Sequence, residues 1–538
     1  MRPKLIECLK GYNRQTLLAD TLAGVSVGIV ALPLAMAFAI ASGVKPEAGI
    51  FTAIVAGFII SALGGSKVQI GGPTGAFIVI IYNIVAEYGF ENLVICTLMA
   101  GVLLLIMGVL RLGVLIKFIP LPVIIGFTNG IALLILISQI KDFLGLTTGP
   151  LPAEFFSQIT LLWHSLPSAQ PVTIAMSVSC FTLLCLWPQR FNLRVPGPVV
   201  VLFLSTLVSA FFELPLDTIG SRFGGIPQSL PQLHWPHLQL SQLSTLIIPA
   251  FTIALLGAIE SLLCAVVADS MIKDKHDANQ ELFAQGTANI ITAFFGGIPA
   301  TGAIARTSIN VRNGAKTPIA GIIHALTLLI IILIAAPLAK HIPLACLAAI
   351  LISVALKMGQ WEAFKEIRQY SHSRTTTLLS TFFLTLVLNL SMAVGIGMAW
   401  AVVVVMRRLV ELTHVLEIKL ETFPLNPHAV VLYEVQGALF FGAADKLEII
   451  SQHHQHPPQV IVLDFARVLY LDSTAGNTLV GLARLLKDQN TRLMICGIPK
   501  QSQSLMKRSG LSEILGPLNI LDNREAALAL AQEITIKA

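Results

Sequence analysis

The chain has 538 residues, 55% of them hydrophobic and only 12% charged, with a net charge of +6. A soluble chain carries about a quarter charged residues, so charge this sparse excludes a water-soluble globule of this size. The basic residues are scattered over short segments rather than gathered in one stripe, so there is no nucleic-acid footprint.

Residues 1–19 are polar and carry Arg2, Lys4, Lys10 and Arg14. No small-residue cleavage site follows a short apolar core, so they read as a cytoplasmic N-terminus ahead of a retained first helix. From residue 20 to 410 the chain runs in apolar blocks, among them 22–40, 93–110, 245–267, 321–338 and 376–390. A bilayer crossing takes about twenty such residues, which predicts an all-α membrane domain of about fourteen segments. Alternate loops collect the cations: Lys67, then Arg111 and Lys117, Arg190 and Arg194, Lys273 and Lys275, Arg312 and Lys316, and Lys357 to Arg374. The intervening loops hold only Lys45, Lys141, Arg222 and Lys340. That asymmetry, with an even segment count, places both termini in the cytoplasm.

Two interruptions in the apolar pattern resemble each other. Gly71-Gly72-Pro73-Thr74-Gly75-Ala76 in the first half is matched by Gly296-Gly297-Ile298-Pro299-Ala300-Thr301-Gly302-Ala303 in the second. Paired interruptions mark a transporter site at the bilayer midplane. A helix that starts inside the membrane presents free backbone N–H groups and a positive dipole end, and two facing ends cradle an anion. Each break taken alone is equally a turn that packs helices closely.

Glu260 stands in an otherwise uncharged run, 247–267. A carboxylate there must face a cavity, find a partner or be protonated, which makes it a candidate proton-coupling group. The plainer reading is a carboxylic acid hydrogen-bonded between helices. Arg306 follows the second break and supplies positive charge to the site, faces a mouth of the pathway, or pairs with an acid. The charged run from Asp269 to Asp277 reads as a solvated inner loop, and the histidine tract 453–456 as a surface loop rather than a metal site. The seven cysteines form no CxxC or Cys/His cluster and read as small core residues, so no cofactor or metal is called for. There is no P-loop, GxSxG or zinc-protease motif, so the chain reads as a secondary transporter rather than a pump or an enzyme.

After Arg408 the character changes. Residues 411–427, with Pro424 and Pro427, read as a linker. Residues 428–538 read as a soluble α/β domain, with strands at 430–435, 460–463 and 492–496 and helices at 474–487 and 524–533.

Several stretches together resemble the SulP family of anion permeases over nearly the whole chain. They are Asp20-Thr21-Leu22-Ala23-Gly24, Leu32-Pro33-Leu34-Ala35-Met36-Ala37-Phe38-Ala39, Gly71 to Thr74, Gly257-Ala258-Ile259-Glu260-Ser261 and Ala303-Ile304-Ala305-Arg306-Thr307. The segment Leu471-Asp472-Ser473-Thr474 looks like part of the family's C-terminal STAS domain (sulfate transporter and anti-sigma factor antagonist). Runs 255–269 and 294–315 with Lys275-His276 are most similar to the bacterial C4-dicarboxylic acid transporter branch.

The resemblance implies two inverted repeats of about seven segments, split into core and gate domains, in a homodimer of the bacterial inner membrane. It implies a substrate held by Leu34, Phe38, Pro73, Thr74, Gly75, Thr301, Gly302, Ala305 and Arg306, with Glu260 as the coupling carboxylate. The expected activity is proton-coupled uptake of C4-dicarboxylates such as succinate, fumarate or aspartate. Sulfate or bicarbonate, with a proton or sodium as coupling ion, is the alternative. Leu34 and Ala305 stand where many relatives have Gln and Ser, so the anion depends more on backbone N–H groups. Ser473 and Thr474 are positioned for regulatory phosphorylation or, as is commoner for Asp-Ser-Thr before a helix, belong to a helix cap. A rival of another class is a membrane scaffold whose STAS domain recruits a soluble protein.

Overall fold

The computed structural model describes all residues except 1, 115–119, 150, 153, 189–195, 237–239, 389, 421–428, 449, 451–456 and 538. Lys117, Arg190, Arg194, the linker prolines Pro424 and Pro427 and the histidine tract 453–456 therefore lie outside the described residues. The chain divides into two compact units, Met1–Met398 and Ala399–Ala538, with the boundary inside the last apolar helix rather than after it.

The first unit is helical except for two short strands. Its first half runs α1 (Arg14–Ala41), α2 (Pro46–Leu63), β1 (Gly71–Gly72), α3 (Ile78–Tyr88), α4 (Phe90–Val109), α5 (Leu121–Leu144), α6 (Phe155–Ser165), α7 (Pro171–Leu186) and α8 (Gly197–Phe211). The second half runs α9 (Leu240–Ile272), α10 (Ala278–Phe294), β2 (Thr301–Gly302), α11 (Ile304–Arg312), α12 (Ile319–Ala339), α13 (Leu344–Met358) and α14 (His372–Val387). A last helix, α15 (Leu390–Glu411), crosses the unit boundary.

Among the described residues six helices are long and apolar enough to cross a membrane, and the pair α6–α7, bent by 115°, makes a seventh if it counts as one span. Helices prevail because a bilayer offers no partner for a bare N–H or C=O, and a helix satisfies its own. At 11 and 9 residues, α3 and α11 extend only ~16 and ~14 Å, about half of a ~30 Å hydrocarbon layer.

Two devices hold the bundle. The first is close approach: a Cβ on Gly286 of α10 would collide with the Leu105 backbone of α4, so these helices touch main chain to main chain. The second is Asp20, fully buried on α1. Its carboxylate accepts from the backbone N–H groups of Lys316 (2.7 Å) and Thr317 (3.1 Å) and from the hydroxyls of Thr317 (2.5 Å) and Tyr12 (3.2 Å). One side chain thus ties the start of α1 to the segment entering α12, 296 residues away.

The second unit holds a five-stranded sheet in the order β3 (His414–Ile418), β4 (Val430–Leu439), β5 (Val460–Leu471), β6 (Arg492–Cys496), β7 (Ile520–Leu521). β3 runs antiparallel to β4, and the other pairs are parallel. Alternation along β5 sends Ile461 and Leu463 to a core shared with α16 (Ser473–Asp488), and Val460 and Val462 to one shared with α17 (Arg524–Lys537). The sheet begins at His414, inside the stretch read as a linker. As an edge strand β3 leaves most of its residues half-buried or exposed, so its sequence carries little core signal.

Candidate functional site

The two interruptions found in the sequence meet. β1 and β2 pair antiparallel, with Gly71 opposite Gly302 and Gly72 opposite Thr301. Each strand leads at once into a helix start. Thr74 precedes the turn Gly75–Phe77, which opens into α3, and Ala303 precedes α11. Gly72 has φ +148°, and a side chain there would strike Arg306, so only glycine fits at this crossing.

Extended chain inside a membrane leaves backbone groups without partners. Here side-chain hydrogen bonds tie each break to the helices around it. For the first, Thr307 Oγ1 accepts the Ile70 N–H (3.0 Å), Asn310 Nδ2 donates to Val68 O (2.9 Å), and Arg306 Nη2 donates to Pro73 O (2.6 Å). All three come from α11, at positions 306, 307 and 310 on one helix face. For the second, Thr52 Oγ1 accepts the Ile298 N–H (2.7 Å), Asn289 donates to Ala300 O and accepts its N–H (2.9 Å each), and Thr301 Oγ1 donates to Gly257 O (2.8 Å). Sequence reading missed Thr52, Asn289, Thr307 and Asn310. The available signal was their polarity on helices that must be buried.

The expected substrate-binding residues do not all lie together. Pro73, Gly75, Thr301, Gly302 and Arg306 are buried at or beside the crossing. The Arg306 guanidinium is 1% exposed and turned onto the first break, with Nη1 unpaired. Thr74 is half-buried, and its hydroxyl has no partner. Phe38 lies on α1 with its ring 3.6 Å from the position a Gly75 Cβ would take, alongside Ile135 and Met358, and Leu34 is one turn earlier, equally buried. Ala305 is exposed in the first turn of α11.

Glu260 lies one turn beyond Gly257, the residue that receives the Thr301 hydroxyl. It is half-buried, and no hydrogen bond or ion pair engages it among the described residues. The crossing thus offers two helix starts, an unpaired hydroxyl, an unpaired guanidinium N–H and a nearby free carboxylate. That set suits a small anion accompanied by a proton or cation. A cavity of about 260 Å³ lies over the first half of α3, lined by Ile78, Tyr82, Lys141 and Arg222, and none of the expected site residues lines it.

In the second unit Asp472 caps α16, accepting the Ala475 N–H at 2.8 Å and, from β4's end, the Phe441 N–H at 3.0 Å. Ser473 and Thr474 are the first two residues of that helix, and both are exposed.

Residues 17–381 match the model of the sulfate permease family, and residues 424–527 match the STAS domain. The chain belongs to the sulfate permease family. It is 41% identical to the putative sulfate transporter YvdB of Bacillus subtilis, covering 96% of this chain and 98% of that one. It is 30% identical to the bicarbonate transporter BicA of Picosynechococcus sp., covering 95% and 94%. The solved transmembrane domain of a cyanobacterial BicA superposes with a TM-score of 0.65 at 30% identity, over 73% of this chain and 98% of that one. The murine Slc26a9 anion transporter in its inward-facing state gives 0.88 at 20% identity over 99% and 94%, a likeness of fold. The sulfate permease fold, an all-α membrane unit followed by an α/β STAS domain, is therefore the fold of this chain, a multi-pass anion transporter and not an enzyme.

Proposed function

We propose that the chain takes up small oxyanions across the bacterial inner membrane, with Glu260 carrying the coupling proton. The observation that carries this is the antiparallel crossing of β1 and β2, which sets two helix starts beside a carboxylate that has no partner among the described residues. The anion docks between the starts of α3 and α11. A proton on Glu260 offsets its charge, and the loaded core moves against the gate. Arg306 holds the first break in shape and adds positive potential from behind it.

Sulfate or bicarbonate is the first reading, because relatives across nearly the full length carry those names. A C4-dicarboxylate is the second, favoured by the apolar Leu34 and Phe38, which suit a hydrocarbon spacer between two carboxylates. Both termini face the cytoplasm in this reading, and exposed Ser473 or Thr474 is the place for a regulatory phosphate.

Uptake of labelled sulfate, bicarbonate and succinate into proteoliposomes, each with and without an inward proton gradient, tests the proposal. Gradient-dependent uptake of sulfate or bicarbonate with no succinate signal supports the first reading. Succinate uptake blocked by fumarate supports the second. No uptake of any of them rejects both.

A further inference from the structure

A second buried carboxylate lies away from the crossing. Glu281, in the first turn of α10, is fully buried. Its donors are all neutral: the Gly65 N–H to Oε2 (2.9 Å), the Ser261 hydroxyl to Oε1 (3.3 Å) and the Gln285 amide to Oε1 (2.8 Å). Ser261 in turn accepts from Gln69 Nε2 at 3.2 Å. Gln69 packs against Gly302, where a Cβ would collide with its amide, so the chain of hydrogen bonds ends at the crossing itself. Ser261 also adjoins Glu260 in sequence. At the other end, the Glu281 N–H donates to Asp277 O (2.9 Å) in the turn 273–277, whose His276 pairs through Nδ1 with Asp269 near the end of α9 (2.7 Å), partly exposed.

We propose that Glu281 is a second proton-binding carboxylate, linked to the crossing through Ser261 and Gln69 and lying beside the solvent-facing turn 273–277. As drawn, the bonds run Gln69 to Ser261 to Glu281, the direction that serves a charged carboxylate, and Gln69 Oε1 is buried with no donor. A protonated Glu281 reverses the last of these bonds. Its O–H donates to Ser261 Oγ, while Gln69 Nε2 keeps its bond to the Ser261 backbone O (3.3 Å). One O–H bond forms at Glu281, one negative charge disappears, and the proton comes from and returns to water at the turn. Gln285 Oε1 is likewise buried and unpartnered, a spare acceptor beside the carboxylate.

The titratable groups on the elements around Glu281 are few. α9 contributes Glu260, Cys264 and Asp269, and the turn contributes Asp274, His276 and Asp277, with Lys67 paired to Asp274 at 3.0 Å. The charged residues of α2 and α4, Glu47 and Glu91, sit in the first turns of those helices, at their opposite ends. Nothing cationic on α10 itself competes for the carboxylate. The inference rests on the proton-coupled reading for its use in transport, but its chemistry is measurable without transport.

Infrared difference spectra of the purified full-length protein between acidic and alkaline buffer test it. Wild type should show a carboxylic-acid carbonyl component that disappears in Glu281→Gln and persists in Glu260→Gln. Ser261→Ala keeps the carboxylate but removes its chain partner, and should shift that component. Ser261→Ala also decides the matter if Glu281→Gln does not fold. Spectra of Glu281→Gln or Ser261→Ala that superimpose on wild type overturn the proposal. Uptake that ignores the proton gradient would reject the coupling mechanism and leave the spectral result standing.

Discussion

Thr307 does two jobs with one oxygen. It accepts the Ile70 N–H at 3.0 Å and contacts Cys264 Sγ at 3.2 Å, joining the first break, α9 and α11. Replacing it with valine keeps the shape and leaves a buried N–H without an acceptor. Such an orphan costs about 1–3 kcal/mol. Thr307→Val should therefore lower the thermal midpoint of the purified protein, and an unchanged midpoint would show that the Ile70 N–H finds another partner. Residue-scale features were unevenly legible in the sequence. Glu260 stood out because it interrupts an apolar run. Glu281 did not, because it sits among Asn279, Gln280 and Gln285 in a segment that looks like a solvated loop end. The structure buries Gln280, Glu281, Gln285, Asn289 and Thr292 all the same: Gln280 donates to Leu63 O, Glu281 accepts the Gly65 N–H, Gln285 donates to Glu281, and Asn289 donates to Gln285 O, while Gln285 Oε1 and Thr292 Oγ1 have no partner among the described residues. Partners more than 200 residues distant leave no local trace, as with Arg306 and Pro73, 233 residues apart.

At the scale of elements, the two breaks were readable from their glycines, prolines and mutual likeness, and so was their place at the start of short helices. Their antiparallel pairing was not, since register is decided by what surrounds the strands. The contact between α4 and α10 shows how tightly that frame is set. Gly101 and Gly286 face each other across it, and an added Cβ at either would meet backbone atoms. Forcing volume into such a contact costs about 1–3 kcal/mol. Gly286→Ala should destabilise the transport domain by that order in a thermal-shift assay. Because α10 carries Asn289, which pins Ala300 beside β2, the same variant should weaken substrate binding as well. A destabilised variant with unaltered binding would mean the second break is held independently of α10.

At the scale of the molecule, composition alone announced a membrane domain followed by a soluble one, because apolar blocks give way to strand–helix alternation after Arg408. The joint was the least legible part. β3 begins at His414 and hydrogen-bonds to β4, and Thr413 Oγ1 donates to Ala438 O at 2.9 Å, so the segment following α15 belongs to the sheet. Truncation should accordingly end the chain at Glu411. A cut at residue 428 would strand an edge β-segment with bare hydrogen-bonding groups, a template for aggregation. The chain ending at Glu411 should still bind its anion if transport resides in the helical unit. Loss of anion binding in a folded, monodisperse truncation would contradict that placement, whereas the scaffold reading predicts loss of a soluble partner from the truncated chain.

Glu260 is the proposed proton carrier beside the crossing. The most direct measurement compares wild type with Glu260→Gln in proteoliposomes, reading gradient-driven accumulation and anion exchange in the same preparation. A neutral side chain of the same shape still permits the loaded core to move but cannot take up a proton. Accumulation should fall to the leak level while exchange persists. Equal loss of both, or accumulation that still follows the proton gradient, would contradict the assignment.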